Sequence, residues 1–99
     1  MVQVLPAELV LGRAQELKEL LLSALGGGGP LELDGRAVSE ADVAGLQVLC
    51  AAGRSARARG LKIAFCRDGR SRALCDAIAL AGLGRVPEDR WLVEEVERA

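Results

Sequence analysis

The side chains able to do chemistry are few, and one type is missing. The chain has no histidine, which removes Ser-His-Asp and Cys-His nucleophiles, imidazole metal ligands and imidazole pH switches together. Three cysteines remain, Cys50, Cys66 and Cys75, spaced by 16 and 9 residues. That pattern fits neither a CxxC redox pair nor a zinc quartet, and an odd count closes no disulfide set. The three read as reduced, buried small hydrophobes of a cytoplasmic protein. With no base to activate a thiol, an enzyme is not expected.

Two carboxylates, Asp34 and Asp42, flank one loop. A pair of this kind can hold Mg²⁺ beside a bound phosphate, but nothing in the sequence supplies the phosphate. Asp34 therefore reads as a loop stabiliser and Asp42 as a helix cap. The run Gly26-Gly27-Gly28-Gly29-Pro30 is not a phosphate cradle, since no Gly-Lys-Ser/Thr follows and a strand comes next. No cofactor and no metal are expected.

The elements that must position these residues follow from hydrophobic period and punctuation. Val2 to Leu11 reads as one or two short strands interrupted at Pro6, an edge hairpin or a bent strand. Ala14, Leu17, Leu20, Leu21, Ala24 and Leu25 recur at three- and four-residue spacing, which predicts an amphipathic helix over Arg13 to Leu25, ended by the glycine run. Leu31 to Asp34 is a strand and Gly35 to Ala41 a loop. Asp42 caps a second helix with Leu46, Leu49, Cys50, Gly53 and Ala56 on its core face, and Gly60 ends it. The strand Leu61 to Cys66, a turn Arg67-Asp68-Gly69-Arg70 and a third helix capped by Ser71 follow. That helix turns Leu74, Ala77, Ile78 and Ala81 inward and closes at Gly82. Pro87 opens a last helical segment with Trp91, Leu92 and Val96 on its apolar side. Strands alternating with helices predict an α/β fold. The expected core is Leu33, Leu46, Leu49, Ile63, Phe65, Leu74 and Ile78.

Composition sets the class. At 99 residues, with 51% hydrophobic and 27% charged residues, the chain is one small globular domain spanning residues 1–99. A net charge of −1, no Tyr, one Phe and one Trp leave neither the field nor the stacking platform that nucleic acid requires. No apolar run exceeds five residues, the length of Ala77 to Ala81, so no direct membrane insertion is expected, and the start of the chain lacks a basic-then-apolar leader pattern. Charge is nevertheless uneven. Arg54 to Arg72 holds seven basic residues and one acid, a net of +6, whereas Glu88 onward holds five acids and two arginines, a net of −3. Such segments are solvated faces or internal pairs in one reading, and in the other a basic patch, with Arg54 and Arg57, that steers an acidic partner.

Leu33-Asp34, then Asp42-Val43-Ala44-Gly45-Leu46 eight residues on, a small-residue helix, the step Arg59-Gly60-Leu61 and a strand together resemble the STAS domain family, named for sulphate transporters and anti-sigma-factor antagonists. The later helix from Ser71-Arg72-Ala73-Leu74 to Gly82-Leu83 fits as well, so the resemblance covers most of Leu5 to Leu83. It implies a STAS-like fold, a mixed β-sheet of about four strands with helices packed mainly on one face. In that family Asp-(Ser/Thr)-x-Gly-Leu opens the helix, and a partner kinase phosphorylates the Ser or Thr. Here the position is Val43, which has no hydroxyl and accepts no phosphoryl group. Ser39, four residues earlier, is the nearest substitute hydroxyl and otherwise a loop residue that bonds nearby backbone.

What the resemblance implies is a non-catalytic, cytoplasmic regulatory module like an anti-sigma factor antagonist. Its docking surface would comprise Asp34, Ser39, Asp42, Val43, Ala44, Gly45 and Leu46, with the backbone approached closely at Gly45 and with Arg54 and Arg57 assisting encounter. The partner would be an anti-sigma factor of the kinase type or a chemotaxis-like histidine kinase. The alternative is an accessory subunit docking on the ATPase of a lipid-trafficking ABC transporter.

Overall fold

Pro6 divides the N-terminal segment into two strands that pair with different neighbours. The computed structural model describes residues 1–96. In it β1 (Val2–Val4) and β2 (Glu8–Leu9) lie on either side of Pro6. They do not form a hairpin, because β1 pairs in parallel with β3 (Leu31–Gly35) and β2 pairs in parallel with β4 (Glu40–Ala41). β5 (Ile63–Arg70) pairs in parallel with the other side of β3, giving the order β1-β3-β5. The expected mixed sheet of about four strands is thus corrected to a three-stranded and a two-stranded sheet, each parallel. Helical crossovers return the chain in the same direction, which enforces parallel pairing. The loop expected over Gly35 to Ala41 contains β4.

The helices sit close to their expected places. α1 (Ala14–Leu25) follows a 3-10 turn at Leu11–Arg13 and buries Leu17, Leu21, Ala24 and Leu25. α2 (Val43–Ala58) buries Gly45, Leu46, Leu49, Cys50, Ala52, Gly53 and Ala56. Gly60, just past its end, takes φ +70°, the left-handed conformation that glycine supplies without a Cβ penalty. α3 (Arg72–Leu80) starts where the Ser71 hydroxyl accepts from the Leu74 N–H at 3.1 Å. Its inner face is Leu74 and Ile78, with Ala77 partly buried against the core, and Ala81 lies at the exposed C-terminal cap.

Two further expectations are corrected. Arg67 to Arg70 is not a turn, because β5 runs through it with a register shift opposite Leu33/Gly35, and Asp68 absorbs the irregularity at φ +57°. Leu33 pairs with Phe65 and Gly35 with Arg70, so the irregularity takes up extra residues on β5 without ending the strand, and Asp is among the few non-glycine residues that tolerate a positive φ. The last segment is a 3-10 helix, Pro87–Val93, after which Glu95 bridges Phe65 in parallel and the Val96 N–H donates to the Phe65 carbonyl at 2.8 Å. Glu97 and Arg98, counted above in the acidic segment, lie outside the described residues.

The core assembles as patterned. Leu33, Leu46, Leu49, Phe65, Leu74 and Ile78 are at most 1% exposed, joined by Leu5, Leu9, Leu17, Leu21, Leu25, Leu31 and Leu92. Ile63 is only half-buried at the margin. β3 alternates buried Leu31, Leu33 and Gly35 with half-exposed Glu32 and Asp34, the signature of a sheet covered mainly on one face. Of the cysteines, only Cys50 joins the core, while Cys66 and Cys75 are half-exposed. Burial pushes the Cys50 thiol up, with the Asp89 carboxylate adding to the effect, so Cys50 stays a neutral thiol.

Candidate functional site

The start of α2 is held by one carboxylate that serves two segments. Asp42 Oδ1 accepts from the Gly45 N–H at 2.9 Å, and Oδ2 accepts from the Leu11 N–H at 2.9 Å. These backbone donors favour the charged form and hold the Asp42 carboxyl below the usual carboxylate range, Gly45 being the larger cause. The Asp42 N–H in turn donates to the Leu9 carbonyl at 3.0 Å. One residue therefore caps the helix and fastens β2 and the Leu11 turn against it.

Gly45 explains the motif's glycine structurally. A Cβ there would overlap the carbonyl and Cα of Leu9, so the β2 segment crosses the helix at the spot where a side chain is missing. The close approach expected of a partner is thus made by the chain itself. Leu46 is 1% exposed and belongs to the core beneath the site. Both are corrected from docking residues to supports, because the helix turns them inward once Asp42 sets its start.

What remains outside is apolar. Val43 is 58% exposed and Leu11, brought beside it through Asp42, is 72% exposed. Behind them a groove of about 400 Å³ runs between α1 and α2, with Ala14, Leu21 and Leu22 on one wall and Ala44, Val48 and Ala51 on the other. Ala44 joins the cap to the groove. Leu11 and the groove escaped the sequence reading. A leucine directly before an amphipathic helix was the available signal, but only the Asp42–Leu11 hydrogen bond places it beside Val43.

The loop's other residues are spoken for. Arg36 grips Asp34 with Nε to Oδ1 at 3.0 Å and Nη2 to Oδ2 at 2.8 Å, and its N–H donates to Oδ1 at 3.1 Å. This grip holds the Asp34 carboxyl below its ordinary range. The Ser39 hydroxyl donates to the Ala7 carbonyl at 3.3 Å, and the Ser39 N–H reaches the same oxygen at 2.8 Å. Both residues face solvent in part and act on the loop's shape.

The basic segment is partly consumed internally. Arg54 Nη2 lies 3.3 Å from Asp89 Oδ2, and Arg70 Nε lies 3.2 Å from Glu95 Oε2. The +6 and −3 segments thus pair with each other through Arg54–Asp89 and Arg70–Glu95. Arg57 is exposed on the last turn of α2. Among the described residues no three His, Cys, Asp or Glu side chains gather as metal ligands, and no helix is long and apolar enough to cross a membrane.

The family model described as "Mlab, STAS domain" matches residues 4–94. No curated protein and no solved structure matched the chain. The match runs from the last residue of β1 through α1, the capped start of α2, β5 and α3 to the end of the 3-10 segment, and the chain belongs to the STAS domain family.

Proposed function

We propose that this STAS domain is a non-catalytic regulatory module that docks onto a protein partner through Val43, Leu11 and Ala44, with the α1–α2 groove continuing the contact. The observation that carries this reading is Val43, an apolar side chain 58% exposed on a helix start whose capping carboxylate is already engaged by the Gly45 and Leu11 N–H groups. Such a surface gains by burying apolar area and has no hydroxyl to modify. Binding is stoichiometric and resembles that of an anti-sigma factor antagonist without its phosphoacceptor, and control comes from protein level or from the partner. The partner class is an anti-sigma factor or related kinase in the cytoplasm, with Asp34, Ser39 and Asp42 shaping the loop and Arg57 aiding encounter.

A second reading places the same surface on the ATPase of a lipid-trafficking ABC transporter. Val43 favours it, because an accessory subunit needs docking and no phosphorylation.

The test compares wild type, Val43→Asp and Val43→Ser as bait in native lysate, with mass-spectrometric identification and then titration of the captured protein. An aspartate in the first turn is favourable to the helix by about 0.3–1 kcal/mol, so folding is preserved. Forcing its carboxylate into an apolar contact costs roughly 1–3 kcal/mol of binding, about tenfold to a hundredfold in affinity. Val43→Ser, which removes apolar area but adds no charge, should bind less tightly than wild type and more tightly than Val43→Asp. Equal affinities for wild type and the Asp variant, with equal melting temperatures, would place the partner elsewhere on the surface. The identity of the captured protein, kinase or ATPase, separates the two readings.

A further inference from the structure

β1 is an edge strand in the sheet order β1-β3-β5. The Leu5 N–H donates to the Asp34 carbonyl at 2.8 Å, and the Met1 carbonyl accepts from the Glu32 N–H at 2.9 Å. Met1, Gln3 and Leu5 therefore turn their backbone toward β3, and the parallel alternation directs the backbone of Val2 and Val4 to the open side. Sheet edges are usually blunted by shortness, charge, proline or a bulge, and β1, at three residues, uses the first of these alone. Val2-Gln3-Val4 contains no charge and no proline, and its register against β3 is regular. An exposed side-chain hydrogen bond, Gln3 Nε2 to the Val4 carbonyl at 3.0 Å, covers part of the edge, and an incoming N–H replaces it in kind.

Beside this edge lies an open cleft of about 490 Å³ whose apolar walls are Val4 and Pro6 on one side and Leu17 and Leu20 of α1 on the other. Its rim carries Glu8, Glu16 and Arg13. Arg13 reaches both acids, at 3.2 Å and 3.5 Å. Two carboxylates against one guanidinium leave the rim at −1, and all three side chains are well exposed. The cleft shares no lining residue with the α1–α2 groove.

We propose that the β1 edge and this cleft form a β-augmentation site for an extended peptide that carries an apolar residue between two basic residues at alternate positions. The added strand pairs with the outward backbone of Val2 and Val4, which supplies affinity, while the side chains on its cleft-facing side supply specificity. Residues two apart in a strand share a face about 7 Å apart, so a central Leu enters the cleft while the long, flexible cations on either side of it reach toward the excess negative charge of the Glu8–Arg13–Glu16 cluster. A second copy of this chain is the poorer occupant. Its β1 offers Val-Gln-Val without a cation, and it brings its own Glu8 and Glu16 toward those already there.

The probe is the blocked peptide Thr-Lys-Thr-Leu-Thr-Lys-Thr, titrated into the full chain with amide chemical shifts and calorimetry. The expected result is shifts at Val2, Val4 and Leu20, and affinity at least tenfold weaker when both lysines become Glu or when the peptide's edge-facing amides are N-methylated. Val4→Pro should weaken binding about tenfold, because its outward N–H is lost while the ladder to β3 is kept. Glu16→Lys, a reversal at an exposed side chain whose melting temperature is measured alongside, should also weaken it, whatever Val4→Pro does to stability. Val43→Asp should leave peptide affinity unchanged, which separates this site from the docking surface above. Equal binding of the Glu peptide, shifts centred on Val43 and Leu22, no shifts at millimolar peptide, or a dimer abolished by Val4→Pro that excludes the peptide would each overturn the proposal.

Discussion

The start of α2 and the packing of the last segment on its far half use polar groups in opposite ways. At Asp42 each carboxylate oxygen has a backbone donor, and the exposed side chains around it, Val43 and Leu11, are apolar. Where the 3-10 segment lies on α2, Asp89 is buried with one oxygen on Arg54, while its Oδ1 and the Trp91 Nε1 have no hydrogen-bond partner among the described residues. Trp91 stacks on Phe65 with ring centroids 5.4 Å apart, and its indole fills the space that a side chain at position 53 would occupy. The first region keeps its one buttressing carboxylate satisfied internally and leaves apolar surface available. The second spends its charges on holding a segment down. Charge density in a sequence is therefore a poor guide to where a partner binds, since an arginine that closes the chain on itself has little left to steer with.

The sharpest test of the contrast is within the first region, between a residue beneath the surface and one on it. Leu46→Ala should destabilise by about 2–5 kcal/mol, because it opens a cavity in the core, whereas Val43→Ala should change stability by less than about 0.5 kcal/mol. Denaturant melts of the two variants measure the difference. A small loss for Leu46→Ala would mean that α2 presents a different face inward.

Next comes the charged region. Arg54→Ala leaves the buried Asp89 without its ion-pair partner, and should cost about 1–3 kcal/mol, while Arg57→Ala should be within about 0.5 kcal/mol of wild type. Reversal of Arg57 to Glu should slow association with an acidic partner at low salt more than Arg54→Glu does. Stopped-flow association at two ionic strengths, alongside thermal melts, measures both effects. Equal rates for wild type and Arg57→Glu would return Arg57 to the solvated charges.

The smallest effect is at the cap. Asp42→Ala should cost about 0.5–2 kcal/mol, the usual loss for a helix cap. Because Asp42's carboxyl is held below its unfolded value, its contribution is present above the ordinary aspartate range and is lost as pH falls through the lower folded value. Wild type should therefore lose more stability than Asp42→Ala on acidification through that window, and the two curves should converge at the acid end. Parallel curves would show that the cap carries no charge-dependent stability.

How much was legible in the sequence depends on the range of the forces involved. Helix starts at Asp42 and Ser71, the stop at Gly60 and the amphipathic faces of α1 and α2 follow from hydrogen-bonding side chains and backbone conformation within a few residues, so local spacing sufficed. The core leucines followed from the same period. The loss of a phosphoacceptor is written outright in one residue, Val43. The partition of strands was not legible, because β2 and β4 are two residues each and find each other across 32 positions of chain. No local pattern carries that pairing. The turn expected at Arg67 to Arg70 failed for the same reason, since Gly35 pairs with Arg70 from a distant strand and draws β5 through it. Tertiary structure also decided which residues of the motif are available. The residue types at 42 to 46 were fixed by sequence, but only the crossing of Leu9 over Gly45 turned that glycine and Leu46 into supports and left Val43 and Leu11 outside. Burial depends on what packs from elsewhere in the chain, and at this site it decides the available surface more than residue type does.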